Sequence, residues 1–478
     1  MNEVSKLFFT KKGLYFIVLF VLLLTLFFIH KNKHADWGDD YIQYIYQAHH
    51  LFDAENYKTL VNPDDHGPVK RGVLFSVLLS INNSSDDIIT YKNIICLTYI
   101  SAGLLAFLFL SQHFPSLPSL LATLFVFYNY RNLWLKNEIV PEYLFMFFLY
   151  LATVVIYSRK KYSTIVISLI FACLISTRAI GFVFYFAYLI YEWIDPEKIR
   201  ETSQRNRSLL KSIFWLALFL ISVNSLVPLH TPFDLSFYKG AFSDIRLSSI
   251  YSNVFFYIKN IGYFFEQEIP GYMNPFIIYP MLIIGLIGLG FRLFKRPSFI
   301  EFGFVIYMLA LLFWPHQGAG NRFLIPVLPI ILYFILNGFY FIFSVLKIAS
   351  SRRDLLMTVG LFILIATNVN TVLLLKDHSV ETGPLSDILK NDFTYIQKNT
   401  RTSDVIAFCK PYVINYKCDR NSFALNSNTN NAGLMHADYF LIARDPLLNE
   451  AYNEGLKTTV LSGDTVTLEH FYLIKLKK

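Results

Sequence analysis

The sequence predicts a polytopic α-helical membrane protein with about eleven transmembrane helices and a small α/β domain at its C-terminal end. Apolar residues make up 54% of the 478 residues and charged residues only 16%, a much lower charge content than soluble chains have. Apolar runs long enough to cross a bilayer recur from Leu14 to Leu375. The residues after Lys376 have an ordinary charge density and alternate helix-like with strand-like patterns, which indicates a separate soluble domain.

The net charge of +8 does not indicate a nucleic-acid partner. The basic residues lie in short clusters between apolar runs rather than along one face of a predicted helix. Cytoplasmic loops of membrane proteins retain Lys and Arg, and this retention explains the excess. We therefore expect membrane lipid, and no nucleic acid, as a partner.

The first apolar run predicts an uncleaved helix, because no small-residue cleavage site of a signal peptide follows it. A spanning helix needs roughly 20 mainly apolar residues, or about 17 at the short end. The predicted spans, some of them shorter than this, are Leu14–Ile29, Tyr91–Leu110, Leu117–Tyr130, Pro141–Tyr157, Thr164–Thr177, Ala179–Ile194, Ser212–Pro228, Pro275–Phe291, Phe299–Pro315, Phe323–Leu346 and Leu355–Leu375. The run Gly72–Ile81 is too short to span and is expected to be re-entrant or interfacial.

The distribution of basic residues predicts the orientation. Lys6, Lys11 and Lys12 precede the first apolar run, which puts the N-terminus in the cytoplasm. The loops that alternation then places inside are short and basic, with the exception of Ser111–Ser116; the basic ones are 159–161, 198–211, 292–296 and 347–353. An odd number of spans leaves the C-terminal region outside.

The predicted domains are a membrane domain, 1–375, that includes the first outside loop, 30–72, and an outside α/β domain, 376–478. The α/β domain is expected to contain a helix at Asp387–Lys398 and strands at Val405–Phe408, Tyr439–Ala443 and His470–Leu476. Its two cysteines, Cys409 and Cys418, either pair in an oxidising compartment or remain free thiols, and the sequence leaves both open.

Two adjacent acids lie in the first outside loop, in the stretch DWGDDYIQYIYQAHHLF. Apolar residues then recur at helical spacing up to Phe52, which predicts an amphipathic helix along the membrane surface. Asp39 and Asp40 lie at the N-terminal end of this helix, where the helix dipole favours negative charge. One Asp is a common N-cap, but two acids exceed what a cap requires.

A second acidic site follows in the next outside loop, KNEIVPEYLFMFF. Glu138 and Glu142 both stand where the chain re-enters the membrane, and Glu142 begins an apolar run. A carboxylate at that depth is costly, so Glu142 is a functional candidate. The alternative is an interfacial acid exposed to water.

Two arginines interrupt apolar sequence. Arg178, in ISTRAIG, is expensive in a membrane unless it meets an anion or a water-filled cavity, and its guanidinium suits phosphate. Arg322, in GAGNRFLIPVLP, lies on an outside loop whose glycines allow it to reach a phosphate leaving group. The alternative for Arg178 is a turn between two short helices with the side chain extended outward to water.

The first loop is also rich in metal-ligand residue types, namely His34, Asp36, His49, His50, Asp64, Asp65 and His66. A divalent metal is therefore conceivable, with Asp39 and His66 as candidate ligands. No spacing signature supports a particular site, and polar loops collect such residues without binding metal. No cofactor is otherwise indicated.

Together these motifs resemble the GT-C superfamily of multi-spanning membrane glycosyltransferases, in particular the bacterial family-39-type enzymes related to protein O-mannosyltransferases and aminoarabinose transferases. GDDYIQYIYQAHHLF is similar to the family's acidic first-loop motif with its juxtamembrane helix, and HGPVKRGVLFSVLLSI to its proline-containing segment. PEYLFMFFLYLA resembles the segment with a second acid, STRAIG an arginine-glycine element, and NRFLIPVLP an arginine followed by spaced prolines.

The resemblance implies a transferase of the bacterial inner membrane that moves a hexose or pentose from a polyprenyl-phosphate donor on the outer face, with inversion. The acceptor would be a lipid-linked glycan, lipid A, a cell-wall polymer or a protein. Asp39 would be the catalytic base and Asp40 its acidic neighbour, with Glu142 as the second acid. Arg178 and Arg322 would bind the donor phosphate.

Two other classes remain as alternatives. A polysaccharide polymerase or ligase relies on large outside loops rich in Arg and His, and an Asp-Asp pair after the first helix is not expected there. A lipid or solute transporter tends to show paired halves with broken helices near the midplane, and no matching halves are visible in this sequence.

Overall fold

The structure is a computed structural model, and it describes the helices, the sheet and several connections of the chain. The described residues are 11–29, 39–51, 72–82, 88–158, 164–194, 202–226, 247–262, 264–265, 275–295, 297–314, 320–374, 384, 387–424, 437–444 and 464–476. Much of the first predicted outside loop, with His34, Asp36, Asp64, Asp65 and His66, lies outside these ranges.

The chain divides into two compact units. The first contains residues 1–31, 93–224 and 232–377, and the second contains 32–92, 225–231 and 378–478. The second unit therefore joins the first predicted outside loop to the C-terminal region, a union that no local sequence pattern indicates.

Eighteen helices are labelled here in chain order. They are α1 (Lys11–Ile29), α2 (Asp39–His49), α3 (Val73–Leu79), α4 (Ile88–Leu110), α5 (Ser116–Phe127), α6 (Tyr130–Leu135), α7 (Glu142–Tyr157), α8 (Thr164–Thr177), α9 (Gly181–Ile194), α10 (Thr202–Leu226), α11 (Leu247–Gly262), α12 (Pro275–Lys295), α13 (Phe299–Leu312), α14 (Gly320–Leu324), α15 (Leu328–Val345), α16 (Ser350–Leu374), α17 (Lys390–Asn399) and α18 (Pro411–Cys418). The C-terminal part also contains five strands, β1 (Val405–Phe408), β2 (Asn421–Ala424), β3 (Tyr439–Ala443), β4 (Asp464–Thr467) and β5 (Phe471–Lys475).

Among the described residues, five helices are long and apolar enough to cross a membrane, with spans at Lys11–Phe28, Ile88–Leu110, Asn206–Val223, Ile278–Lys295 and Arg322–Val345. Five more predicted spans correspond to shorter apolar helices, α5, α7, α8, α9 and α13. The last predicted span falls on the 25-residue helix α16. The fold is therefore mostly helical and membrane-type, while eleven spans stay a prediction.

Helix α7 runs through the first unit and is buried along most of its length. Its Tyr150 hydroxyl donates a hydrogen bond to the carbonyl of Pro326, 2.8 Å away. The helix begins at Glu142 and ends at Tyr157, whose hydroxyl hydrogen-bonds to that of Ser298. At about 1.5 Å per residue, its two polar ends are separated by roughly 24 Å.

Helices α12 and α15 approach so closely that their backbones touch. A Cβ on Gly288 would stand 1.9 Å from the Phe334 carbonyl oxygen, and one on Gly338 would stand 2.0 Å from that of Ile284. Gly288 of α12 therefore lies beside Phe334 of α15. Further toward the C-terminal end of each helix, the Phe291 ring meets the Phe341 ring, so the two helices run parallel. Small residues permit this kind of approach between membrane helices.

The second unit is built on a five-stranded mixed sheet of order β2-β1-β3-β5-β4. Strand β1 is parallel to β2 and β3, whereas β5 is antiparallel to β3 and β4. Ala407, Phe423, Phe440 and Ile474 form a hydrophobic core on this sheet. The structure thus contains the predicted helix and the three predicted strands, and it adds β2, β4 and α18.

Helix α2 also belongs to the second unit, where α18 and α3 pack against it. Residues Tyr41 to Ala48 are at most 3% exposed, so every face of the helix is covered by protein. The helix was predicted to lie along the membrane surface, whereas in the structure protein covers its faces. Helix α18, from the C-terminal region, and helix α3 provide this cover.

Both cysteines of the C-terminal region are free thiols in the structure. Cys418 is buried at the end of α18, and its Sγ lies 3.8 Å from the Phe393 carbonyl oxygen. Burial raises the pKa of this thiol to about 12, because the thiolate would lose its hydration.

Candidate active site

Glu142 is the centre of a buried acid–arginine cluster in the first unit. It is the first residue of α7, where the helix dipole favours a carboxylate, and it follows Pro141 at the N-cap position. Its side chain is fully buried, which excludes the alternative of an interfacial acid exposed to water. A buried carboxylate without a cation is costly, so positively charged partners are expected beside it.

Arg178 supplies one of these charges. It lies in the turn between α8 and α9, and its Nη1 donates a hydrogen bond to Glu142 Oε1. Its guanidinium carbon lies 4.6 Å from the centroid of the Phe323 ring. The predicted turn is therefore present, but its arginine points to an acid inside the bundle, with only 13% of the side chain exposed.

Gly181 makes the turn at Arg178 possible. It begins α9 and donates its backbone N–H to the Arg178 carbonyl at 2.9 Å. A Cβ on this residue would stand 3.0 Å from backbone atoms of Leu174 and Ile175. A larger residue would push the end of α8 away and move the guanidinium with it.

Arg322 reaches the same carboxylate from α14. Its Nε lies 3.0 Å from Glu142 Oε1, and 20% of its side chain is exposed. The next residue, Phe323, accepts a hydrogen bond at its carbonyl from the Tyr307 hydroxyl at 2.7 Å. This bond ties α14 to α13, and Phe323 in turn packs on Arg178.

The cluster carries two guanidiniums and one carboxylate, which leaves one positive charge in excess. The carboxylate is fully buried, while 13% of the Arg178 side chain and 20% of the Arg322 side chain are exposed. In the described part of the chain, Glu142 Oε2 has no hydrogen-bond partner. Such an arrangement can bind an anion on the arginines and accept one further hydrogen bond on the acid.

Asp39 and Asp40 are the first two residues of α2, as the sequence predicts, and this helix belongs to the second unit. The structure does not describe their side chains. The other candidate metal ligand, His66, lies outside the described residues. Within the described residues, no group of three His, Cys, Asp or Glu side chains could hold a metal ion.

The two histidines at the end of α2 make separate contacts. His49 Nε2 lies 3.0 Å from the Tyr91 hydroxyl, whereas His50 Nδ1 lies 3.0 Å from the carbonyl oxygen of Tyr46. His49 also meets the Tyr416 ring of α18 edge-on, with 5.6 Å between ring centroids. The contacts of His49 tie α2 to its neighbours in the second unit, whereas that of His50 is with α2 itself.

Sequence reasoning missed Lys136, which is fully buried in the loop before α7. Its Nζ donates to the Phe27 carbonyl at 3.2 Å and lies 5.0 Å from the centroid of the Phe27 ring. Lys136 thereby binds the last turn of α1, whose carbonyls lack partners within the helix. Only its place beside Glu138 and Glu142 in the sequence could have drawn attention to it.

A second buried acid, Glu301, was also missed, and it lies beyond the opposite end of α7. Its Oε1 accepts hydrogen bonds from Arg292 Nε at 3.1 Å and from the Tyr333 hydroxyl at 2.9 Å. Its Oε2 accepts from the backbone N–H and the hydroxyl of Ser298. Because both oxygens have partners, this cluster connects α12, α13 and α15 as a structural unit.

In fold, the chain is similar to solved structures of GT-C membrane glycosyltransferases. ArnT from Cupriavidus metallidurans, crystallised with undecaprenyl phosphate, is 12% identical with a TM-score of 0.57. That match covers 97% of this chain and 98% of ArnT.

A second similar structure is the oligosaccharyltransferase of Archaeoglobus fulgidus in complex with zinc and sulfate. It is 14% identical with a TM-score of 0.53, and the match covers 90% of this chain and 68% of that chain. The sequence matches no protein-family model and has no significant match among curated proteins. At these identities the likeness is one of fold.

Proposed function

We propose that this protein is a glycosyltransferase that moves a sugar from a polyprenyl-phosphate donor to a glycan, lipid or protein acceptor. The reaction takes place on the outer face of the bacterial cytoplasmic membrane. The observation that carries the proposal is the pair of arginines held on buried Glu142, since it provides a cationic site inside a chain of GT-C fold.

The arginines bind the donor phosphate. A polyprenyl-phosphate leaving group gains negative charge as the glycosidic bond breaks, and a fixed cation stabilises that charge in the transition state. Arg178 is restrained by Phe323 and Glu142, so little reorganisation is needed when the charge develops. A membrane enzyme suits this donor, because its long lipid tail stays in the bilayer.

For Glu142, which the resemblance gives as a second catalytic acid, we propose a positioning role. Its Oε1 contacts both guanidiniums, so a proton taken up there would weaken the hold on both arginines. The acid therefore sets the spacing and direction of the two cations. Its Oε2 accepts a hydrogen bond from the substrate.

Asp39 is the proposed general base, with Asp40 as its acidic neighbour. A sugar hydroxyl or amine is a weak nucleophile, and a carboxylate that takes its proton contributes about 10²–10⁴-fold to the rate. Direct displacement with one base implies inversion at the anomeric carbon. ArnT supports a lipid-phosphate ligand for this fold, because its crystal structure contains undecaprenyl phosphate.

The test is transfer by the purified, reconstituted protein with Asp39 replaced. Asp39→Asn should insert and fold normally while turnover falls by about 10²–10⁴-fold, because the base is lost. Radiolabelled sugar on a polyprenyl-phosphate donor, followed into the product, measures the rate. Asp36→Asn, an acid in the same loop, is the matched control and should retain wild-type turnover. Wild-type turnover by Asp39→Asn would remove this residue from the mechanism.

The donor and acceptor are identified by mass spectrometry of envelope glycans from a deletion strain. A missing sugar residue names the donor sugar and the acceptor together. If the glycans instead lack whole repeating units, a polymerase or ligase is favoured. Accumulation of an unmodified lipid-linked precursor on one side of the membrane, with no glycosidic bond missing, would favour a transporter.

A further inference from the structure

An apolar groove lies between α12 and α15, near their C-terminal ends. Its volume is about 480 Å³, within the range of sites that bind small molecules. Its lining residues are Ile287, Gly290, Phe291, Phe294, Lys295 and Phe341. Five of these are apolar or glycine, and the sixth is a lysine at the last residue of α12.

The groove is a consequence of how the two helices pack. They touch backbone to backbone at Gly288 and Gly338, and beyond this contact the side chains of Phe291 and Phe341 fill the interface, with 4.9 Å between their ring centroids. Gly290 keeps the space open, since nothing lies within 4 Å of where its Cβ would stand. The opening therefore lies one turn beyond the glycine contact.

One end of the groove is cationic. The Lys295 ammonium lies 5.1 Å from the centroid of the Phe291 ring, which restrains it beside the groove. The neighbouring Arg292 is already bound to Glu301, whereas in the described part of the chain Lys295 has no carboxylate partner. Because α12 and α15 run parallel, Lys347 lies beyond this same end of the pair.

We propose that this groove binds one anionic glycerophospholipid of the surrounding membrane, with an acyl chain along Phe291 and Phe341 and the phosphate on Lys295. The site is separate from the acid–arginine cluster and does not depend on the proposed reaction. The ring of Phe294 is 95% exposed, so the groove opens on a surface that only an apolar medium would cover.

Charge and position favour this occupant over a second copy of the chain. Basic residues cluster at this end of the bundle, and the sequence predicts that this end meets the cytoplasmic leaflet, where anionic lipids concentrate. A lysine at the membrane surface attracts an anionic headgroup, while its alkyl stem stays against apolar side chains. A protein partner would instead have to supply an acidic residue to pair with the Lys295 ammonium.

The experiment compares lipid binding by the purified full-length chain and its variants. Delipidated protein is titrated with phosphatidylglycerol or with phosphatidylcholine of the same chains, and bound lipid is counted by native mass spectrometry. Wild-type protein should prefer phosphatidylglycerol. Lys295→Gln should weaken phosphatidylglycerol binding roughly fivefold and leave phosphatidylcholine binding unchanged. Gly290→Leu, which fills the groove, should weaken the binding of both lipids.

Matched controls distinguish this site from general lipid coating. Lys347→Gln removes a lysine at the same end of the bundle, and Gly360→Leu alters another helical glycine whose Cβ position is open. Both should bind lipid as the wild type does. Equal phosphatidylglycerol binding by wild type and Lys295→Gln would overturn the proposal. Full competition by glycerol phosphate, which has no acyl chain, would also overturn it. If Gly290→Leu shifted the protein to a monomer without loss of bound lipid, the groove would be assigned to a second copy of the chain.

Discussion

The carboxyl group of Glu142 is buried inside the bundle, where two guanidiniums contact it. Removal of one partner from a buried ion pair usually costs more than the pair contributes, because an uncompensated charge stays behind. The two arginines are partly exposed, so water takes part of that charge. We therefore expect changes at Glu142 to affect the arrangement of the arginines more than the stability of the whole protein.

Glu142→Gln should raise the donor KM about tenfold and leave the acceptor KM unchanged, because the amide keeps the shape but loses the charge that directs both guanidiniums. Steady-state kinetics with each substrate varied in turn measures this. The pH profile of kcat should keep its acidic limb. Glu138→Gln, in the same loop, is the control. A loss of the acidic limb, together with a kcat lower by 10²-fold or more, would instead make Glu142 a general base.

Arg178→Lys keeps the charge but loses the planar guanidinium that packs on Phe323 and contacts Glu142. We expect kcat/KM for the donor to fall about tenfold, with Arg178→Ala lower still. Arg207→Ala, an exposed arginine on α10, should leave donor use unchanged. Equal donor kinetics for the wild type and Arg178→Lys would show that this site needs only a point charge.

At the scale of the elements, the closest contact in the first unit is that between α12 and α15. Gly288 and Gly338 allow the backbones to meet, and this contact fixes where Arg322, just before α15, and Arg292, near the end of α12, lie. Glu301 then binds Arg292 and Tyr333 from α13, so three helices are held together at that end. These helices are therefore expected to behave as one rigid group.

Gly288→Ala should destabilise the protein by about 1–3 kcal/mol, because the added Cβ would stand 1.9 Å from a backbone oxygen and force the helices apart. Gly290→Ala, two residues later, meets no atom within 4 Å and should be neutral or slightly stabilising. Thermal unfolding in one detergent measures both variants. Equal melting temperatures for the two would show that the helices do not touch as described.

At the scale of the whole molecule, the chain makes two units from segments that are not contiguous. The second unit takes α2 from the first outside loop and packs α18 of the C-terminal domain against it. Since α2 begins with Asp39 and Asp40, the C-terminal domain supports the helix that carries the proposed base.

A chain truncated after Leu374 should lose transfer, although Glu142, Arg178 and Arg322 all remain, because α2 loses the cover that buries it. Circular dichroism should show that the membrane helices persist. The reconstituted transfer assay measures the loss. Wild-type turnover by the truncated chain would show that α2 does not need the C-terminal domain.

Local pattern was enough to predict several elements. The strands Val405–Phe408 and Tyr439–Ala443 match prediction because short, continuous apolar runs such as VIAF and YFLIA are typical of buried strands. The helix at Asp39 was predicted from its spacing, yet its burial on all faces was not, since α18 contacts it from the far end of the chain. Strands β2 (NSFA) and β4 (DTVT) were missed because neither contains a continuous run of apolar residues.

The sequence by itself determined that the chain is a membrane protein. It also selected Glu142, Arg178 and Arg322, because a charged residue within an apolar run is costly to bury and can be recognised from sequence alone. Only the tertiary structure decided that these three share one carboxylate, and that Glu301 and Lys136 are buried with partners of their own. The free-energy cost of burying a charged residue can be read from the apolar residues on either side of it in sequence. The opposite charge that offsets this cost comes from another helix, and only the fold brings that helix near.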